Sequence, residues 1–246
     1  MKVGSRTMTS MTRAQPAWAP SAFLNSVWVA TGETPEWVAD RTDALLAQLG
    51  VALGVARWDT SRNQRWEGSP VQLANIVRGN PVHEALPEGE EGEVLPSEGY
   101  AMVLSGVGSA AAVKVWINAG YVAVGRRVPR HNLHIDLSET AAGGITSEVG
   151  DAVAVAVATA WRPATLVLTD SVTNRLARRG GWKIGAGYRT WINSEVGTVR
   201  RVSAGLTTSE VAGGTMISAP DDWPAEHVIA AMIETLNSNG LDEVPH

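Results

Sequence analysis

The sequence contains no cysteine. That excludes a disulfide framework, a thiolate zinc site and a cysteine nucleophile, and it fits a chain kept in a reducing compartment. It also lacks an apolar run long enough to span a bilayer. The longest, Val149 to Trp161, is interrupted by Asp151 and falls short of the roughly 20 residues that a membrane helix needs. Lys2, Arg6 and Arg13 near the start are not followed by the apolar stretch of a secretory signal. A cytoplasmic protein with no membrane partner is therefore expected. Basic charge is scarce as well: 20 Lys and Arg against 25 Asp and Glu leave a formal net charge of −5. A general nucleic-acid binder needs a basic face for phosphates, so no nucleic-acid partner is expected.

Familiar chemical signatures are missing too. There is no Gly-x-Ser-x-Gly elbow and no phosphate-binding Walker loop. Gly185-Ala186-Gly187 lacks the third glycine of a dinucleotide fingerprint and leads into a strand rather than a helix. The one His cluster is His131-Asn132-Leu133-His134-Ile135-Asp136. The alternation of Leu133, Ile135 and Leu137 reads as a strand, which sends His131 and His134 to opposite faces and leaves His134 beside Asp136. Two such residues lack the third ligand of a metal site and read as polar groups on a solvated face. His83, His227 and His246 are scattered. Arg126, Arg127 and Arg130, and again Arg175, Arg178 and Arg179, read as solvated charge or helix-end compensation. No catalytic residue, cofactor or metal is expected.

What is present is a globular composition, 44% hydrophobic over 246 residues, which is enough for a core that needs no covalent staple. Ten Trp stand against one Phe. Most should fill the core, although a rigid aromatic left outside it is the usual anchor of a protein interface. Residues 1–20 are polar, carry Pro16 and Pro20, and read as a flexible tail; a domain over 21–240 and a short tail over 241–246 follow. A strand is expected over 22–30. Thr34-Pro35 caps and opens a helix whose buried stripe is Val38, Leu45, Leu46 and Leu49, and Ser69 with Gln72 has capping-box spacing. Strands are expected near 100–104, 113–117, 132–137, 164–169, 186–192, 198–205 and 214–219, with a hairpin turn at Asn118-Ala119-Gly120. Helices are expected over 146–161, deeply buried because it is apolar nearly all round, over 171–179, and after Pro224. The strands run together and helices bracket them. This is an α+β domain of mostly antiparallel sheet flanked by helices, not the strict alternation of a doubly wound fold. Both halves repeat a helix-then-strands order, as an old duplication would leave, without a register of identical residues.

Residues 81–98 read as an exposed acidic loop. Glu88, Glu90, Glu91, Glu93 and Glu98 crowd it with almost no large apolar residue, and they are the candidate partner-binding residues.

The order of several short patterns resembles the bacterial Immunity protein 52 family. They are Val27-Trp28-Val29, a helix with Arg41 and Leu45-Leu46, Ala56-Arg57-Trp58, Gly99-Tyr100, Asn132 before its strand, and Ala160-Trp161-Arg162-Pro163. Gly187-Tyr188-Arg189-Thr190-Trp191-Ile192 and Gly214-Thr215-Met216-Ile217 complete the set. The pieces are collinear over about residues 22–237. Two depart from the pattern: Trp28 is followed by Val29-Ala30-Thr31 rather than Gly-x-Arg, and Tyr188 and Trp191 stand in exchanged order. The resemblance implies a cytoplasmic protein that neutralises a cognate toxin, for similar families often a nuclease, by direct contact. An acidic surface would suit a basic substrate groove and speed association. The alternatives are an enzyme or small-ligand domain of unfamiliar type, and a self-assembling structural protein.

Overall fold

A computed structural model describes residues 15–29, 32–85, 91–122 and 128–246, the side chain of Glu91 excepted. Along the chain come β1 (Ala22–Val27), α1 (Pro35–Leu53), β2 (Asp59–Thr60), α2 (Pro70–Arg78), β3 (His83–Ala85), β4 (Glu91–Val94) and β5 (Tyr100–Val107). They are followed by β6 (Ala111–Ala119), β7 (Asn132–Glu139), α3 (Ser147–Trp161), β8 (Thr165–Asp170) and α4 (Ser171–Ala177). The last elements are β9 (Arg189–Asn193), β10 (Thr207–Val211), β11 (Gly214–Ser218) and α5 (Ala225–Ser238). The architecture is α+β. Nine strands form one open sheet in the order β10-β11-β9-β8-β1-β7-β6-β5-β2, with every neighbouring pair antiparallel. β1 is the seam. It pairs with β7 on one side and β8 on the other, so the two halves of the chain supply the two halves of the sheet.

The helices begin where their caps dictate. Thr34 accepts a hydrogen bond from the Trp37 amide and Pro35 takes the first position of α1. Ser69 and Gln72 close a reciprocal capping box on α2, and Asp170 accepts from the amides of Val172 and Thr173 at the start of α4. α1 ends at Gly54, which adopts the left-handed conformation (φ +72°) that glycine takes without a Cβ clash. α3 is buried along Val153, Ala154, Ala156, Val157, Ala158, Ala160 and Trp161, leaving a narrow exposed stripe at Glu148, Asp151, Val155 and Thr159. Its small residues let it lie close: a Cβ on Gly150 would strike Trp18 and Leu168.

The sheet's two faces are covered unequally. On the first, α1, α2 and α3 pack over Leu24, Leu104, Val113, Val115, Ile117, Leu133, Ile135, Leu137 and Leu168. On the second, α4 and the chain through Gly185 and Gly187 cover β8, and α5 packs on α4. Every residue of β8 and β9 is therefore buried, whereas β1, β5, β6 and β7 alternate buried with half-buried or exposed positions. In such a sheet alternation marks a strand with one solvated face.

One ion network, centred on the buried Arg189, ties the layers together. Arg189 on β9 donates to Asp151 of α3 (2.6 Å), to the carbonyls of Tyr188 (3.0 Å) and Ala219 (2.9 Å), and to Asp221 (3.2 Å). Asp221 also accepts from the Trp18 indole at 2.7 Å. Burial pushes the Asp221 carboxyl up, but bonds from Arg189, Ser147 and Trp18 outweigh it and hold the group below the ordinary carboxylate range.

Some expectations shift. Trp18, within the anticipated tail, is wholly buried, so packing begins before residue 21; at the other end Leu241 and Val244 are buried. The acidic stretch 81–98 is not all loop, because β3 and β4 form a two-stranded ribbon. Gly120 (φ +82°) does not turn a hairpin. β6 runs through Ala119, its true hairpin partner is β5, and β7 pairs with its other edge. No strand forms over 198–205. The amides of Arg200 and Arg201 bond the Asn239 side chain instead of a neighbouring strand, and the strand lies at 207–211.

Val153→Asp tests the place of α3. It would put an uncompensated carboxylate at a position with no solvent exposure, at a cost of several kcal/mol. Thermal melting should show a large loss of stability, and an unchanged melt would displace α3 from the core. Arg189→Met should cost about 3–5 kcal/mol in urea unfolding, because Asp221 loses its cation and the Tyr188 and Ala219 carbonyls each lose a donor.

Candidate functional site

Two features of the fold stand out as candidate sites. The first is the second face of β1, β7, β6 and β5, which no described element roofs. Antiparallel register sets its side chains in rows. Ser105, Lys114, Asp136 and Phe23 form one row, Val103, Trp116, His134 and Asn25 the next, and Ala101, Asn118, Asn132 and Val27 the third. Lys114, Ala101 and Val107 are exposed, and Trp116, Phe23, Val103 and His134 are half-buried.

Trp116 differs from the other tryptophans. Trp18, Trp28, Trp58, Trp66, Trp161 and Trp191 belong to the core, and Trp37, Trp182 and Trp223 pack against it. Trp116 meets the edge of the His134 ring at 5.1 Å, and Phe23 lies 5.4 Å from the same ring. His134 is fixed at both nitrogens, by Asn25 Oδ1 and by Asp136 Oδ1 (2.7 Å). An imidazole tethered on both sides is a positioned surface group, with neither nitrogen turned to a substrate. A groove of about 230 Å³, lined by polar and apolar residues alike, continues this face toward Asn174, Arg179 and Lys183.

The second feature is a pocket of about 370 Å³ at the end of the sheet, lined by Trp28, Trp37, Trp161, Glu33, Glu195 and Arg162 among others. Trp28 lies at the end of β1, Trp37 in the first turn of α1 and Trp161 in the last turn of α3. The Trp28 and Trp161 rings are 5.0 Å apart, and Trp37 meets Trp161 edge-on at 5.5 Å. Arg41 stands over Trp37 at 5.2 Å and donates to the Ala160 carbonyl at 2.8 Å. Behind Trp28 lies a buried pair. His131 stacks on the indole at 5.3 Å, and Glu33 accepts from the Trp28 indole and the Gly120 amide, both at 3.2 Å. His131 Nε2 accepts the Tyr121 amide at 2.6 Å and lies 3.2 Å from Glu33. Burial lowers the His131 pKa below the ordinary 6.5, against the pull of Glu33.

The expected acidic site is only partly assembled. Glu88 and Glu90 lie outside the described residues, as does the Glu91 side chain. Glu93 is exposed on β4. Glu98 is turned inward, with its side chain 15% exposed and Arg130 at 3.6 Å, so it is not a free charge for a partner. The separation of His131 from His134 follows the strand alternation: the first is buried and the second sits on the outer face. Trp116 was legible as the reverse face of β6, because Val113, Val115 and Ile117 claim the inner one. The pocket was not legible, since its three tryptophans come from three distant elements. It does gather Trp28 with Trp161 and Arg162, residues from two separate pieces of the family resemblance.

Among known proteins, no protein-family profile and no curated sequence matches the chain. One similar solved structure is the Pseudomonas aeruginosa T6SS protein PA0821, at 8% identity and a TM-score of 0.47, over 89% of this chain and 74% of that one. So distant a likeness carries nothing about partners or activity, and the resemblance to Immunity protein 52 rests on the collinear residues alone.

The neutral His131 ring implies a pH dependence. Its folded pKa lies below that of the unfolded chain, so its contribution is complete above 6.5 and is lost as the pH falls through the folded value. Urea midpoints measured from neutral pH downward should fall below pH 6.5. His131→Phe should start lower and fall less steeply. Equal slopes in both proteins would assign the acid sensitivity to other groups.

Proposed function

We propose that this protein acts by binding another protein, and that the partner is a cognate toxin, neutralised in the cytoplasm by direct contact without chemistry. The observation that carries the reading is the face of β1, β7, β6 and β5 that no described element covers, where Trp116 and Phe23 stand outside the core around a doubly tethered His134. Half-exposed, rigid aromatics on a sheet are costly to leave in water and are the usual centre of a binding hot spot. Polar neighbours of opposite charge, Lys114 across from Asp136 in the strand register, supply a rim. The toxin reading is supported by the ordered resemblance to the Immunity protein 52 family. A second reading, a small-ligand domain, is favoured by the tryptophan-lined pocket, whose size falls in the range of ligand sites.

The test is protection. The gene product encoded directly upstream is expressed alone and with this chain. Survival only on co-expression supports immunity, and a harmless neighbour counts against it. Trp116→Arg should melt like the wild type yet weaken toxin binding by tenfold or more, about 1.4 kcal/mol, and abolish protection at limiting expression. Full protection by that variant would move the contact off this face. Replacing Glu88, Glu90, Glu91 and Glu93 by Gln should alter the association rate and its salt dependence if these acids steer the encounter. Unchanged rates would leave recognition to the aromatic face.

A further inference from the structure

On the helical side of the molecule, away from Trp116, a groove of about 190 Å³ runs between α1 and α2. Its floor is apolar: Ala39 and Leu73 are buried there. Its lip is apolar too, with Pro70 exposed and Val71 exposed to 68%, both lying between the Ser69 and Gln72 of the capping box. Its rim is acidic. Glu36, Asp40 and Asp43 follow one another at spacings of four and three along α1, which places them on one side of the helix. Their local partners differ. Glu36 pairs with Arg78 at the end of α2, and Asp43 accepts from the Trp66 indole at 3.1 Å. Asp40 is exposed and has no hydrogen-bond or ion-pair partner among the described residues. Three carboxylates against one guanidinium leave the rim negative around an apolar slot.

We infer that the α1–α2 groove is a second docking surface, and that it takes a basic amphipathic helix of a partner protein. A groove between two helices with an apolar floor accepts an apolar side chain from a third helix, and the residues flanking that side chain on the incoming helix meet the rim. Here the rim presents carboxylates, so Lys or Arg beside the inserted residue would complement it, whereas an acidic helix would meet repulsion at Asp40 and Asp43. The charges set association rate and salt dependence, and the inserted side chain sets the lifetime. The inference goes beyond the toxin reading and does not depend on it, because the groove and the Trp116 face lie on opposite sides of the sheet.

A fluorescently labelled peptide of Leu and Lys in amphipathic helical order is the probe, titrated against the full chain by anisotropy at low and at physiological ionic strength. Saturable binding that weakens with salt is expected. Asp40→Lys and Val71→Glu alter exposed residues and should keep the wild-type melt while weakening binding about tenfold or more. Glu226→Lys, the same charge change at an exposed site on α5, should leave it nearly unchanged, as should Trp116→Arg. No binding, equal loss in Glu226→Lys, indifference to Val71→Glu, or equally tight binding of a Leu and Glu peptide would each overturn the assignment. Loss of peptide binding in Trp116→Arg would place the contact on the aromatic face instead.

Discussion

The structure hangs on the guanidinium of Arg189. It sits on a strand buried on both faces, where a charge is tolerable only if every donor is met. Its partners come from α3, from its own strand's carbonyl, and from the turn between β11 and α5. Through Asp221 it also holds Trp18, and thereby the entry of the chain into β1. Four separate segments are thus placed relative to one another by one planar, permanently charged group. A lysine would offer a point charge without the fork that reaches two carboxylates and two carbonyls at once.

That clamp stiffens the half of the sheet made by β8, β9 and β11, which is covered on both sides. The other half, β5 to β7, is braced on one face, and no described element covers the other. The asymmetry bears on the proposed function. A sheet face rigidly backed by α1 and α3 presents its outer residues at fixed spacings, so the proposed docking would need little further ordering there. Trp116, Phe23 and His134 are held in that way, by register beneath and by hydrogen bonds at both His134 nitrogens. The tryptophan pocket serves a different end. Trp28, Trp37 and Trp161 join the ends of β1, α1 and α3, and the buried Glu33–His131 pair seals the space behind them.

Local signals read from the sequence were good where one short stretch supplied all the physics. Thr34-Pro35 and Ser69-Pro70-Val71-Gln72 each contain a complete cap, and both helices start there. Alternation through Val113, Val115 and Ile117 fixed the inward face of β6 and so the outward place of Trp116. The readings failed where the deciding partner was remote. The stretch 198–205 has strand-like composition, but the Asn239 side chain takes the amides of Arg200 and Arg201. Gly120 looks like a hairpin glycine, but its amide is held by Glu33, 87 residues away, and the chain departs from the sheet. Glu98 looks like one more surface acid, and Arg130 draws it inward.

By itself the sequence determined the class of fold, the depth of α3 and the opposite orientation of His131 and His134, because periodicity and capping are properties of neighbouring residues. It could not determine which faces would remain uncovered. That depends on where α4, α5 and the 180–187 segment come to rest against the sheet, and so on packing between parts of the chain far apart in sequence. Tertiary structure alone left the face that carries Trp116 without a covering element among the described residues, brought Trp28, Trp37 and Trp161 to one pocket, and set the carboxylates of α1 beside the apolar lip of α2. Each of these arrangements is a difference in burial between chemically similar residues, and burial is decided by the whole fold rather than by any local stretch of chain.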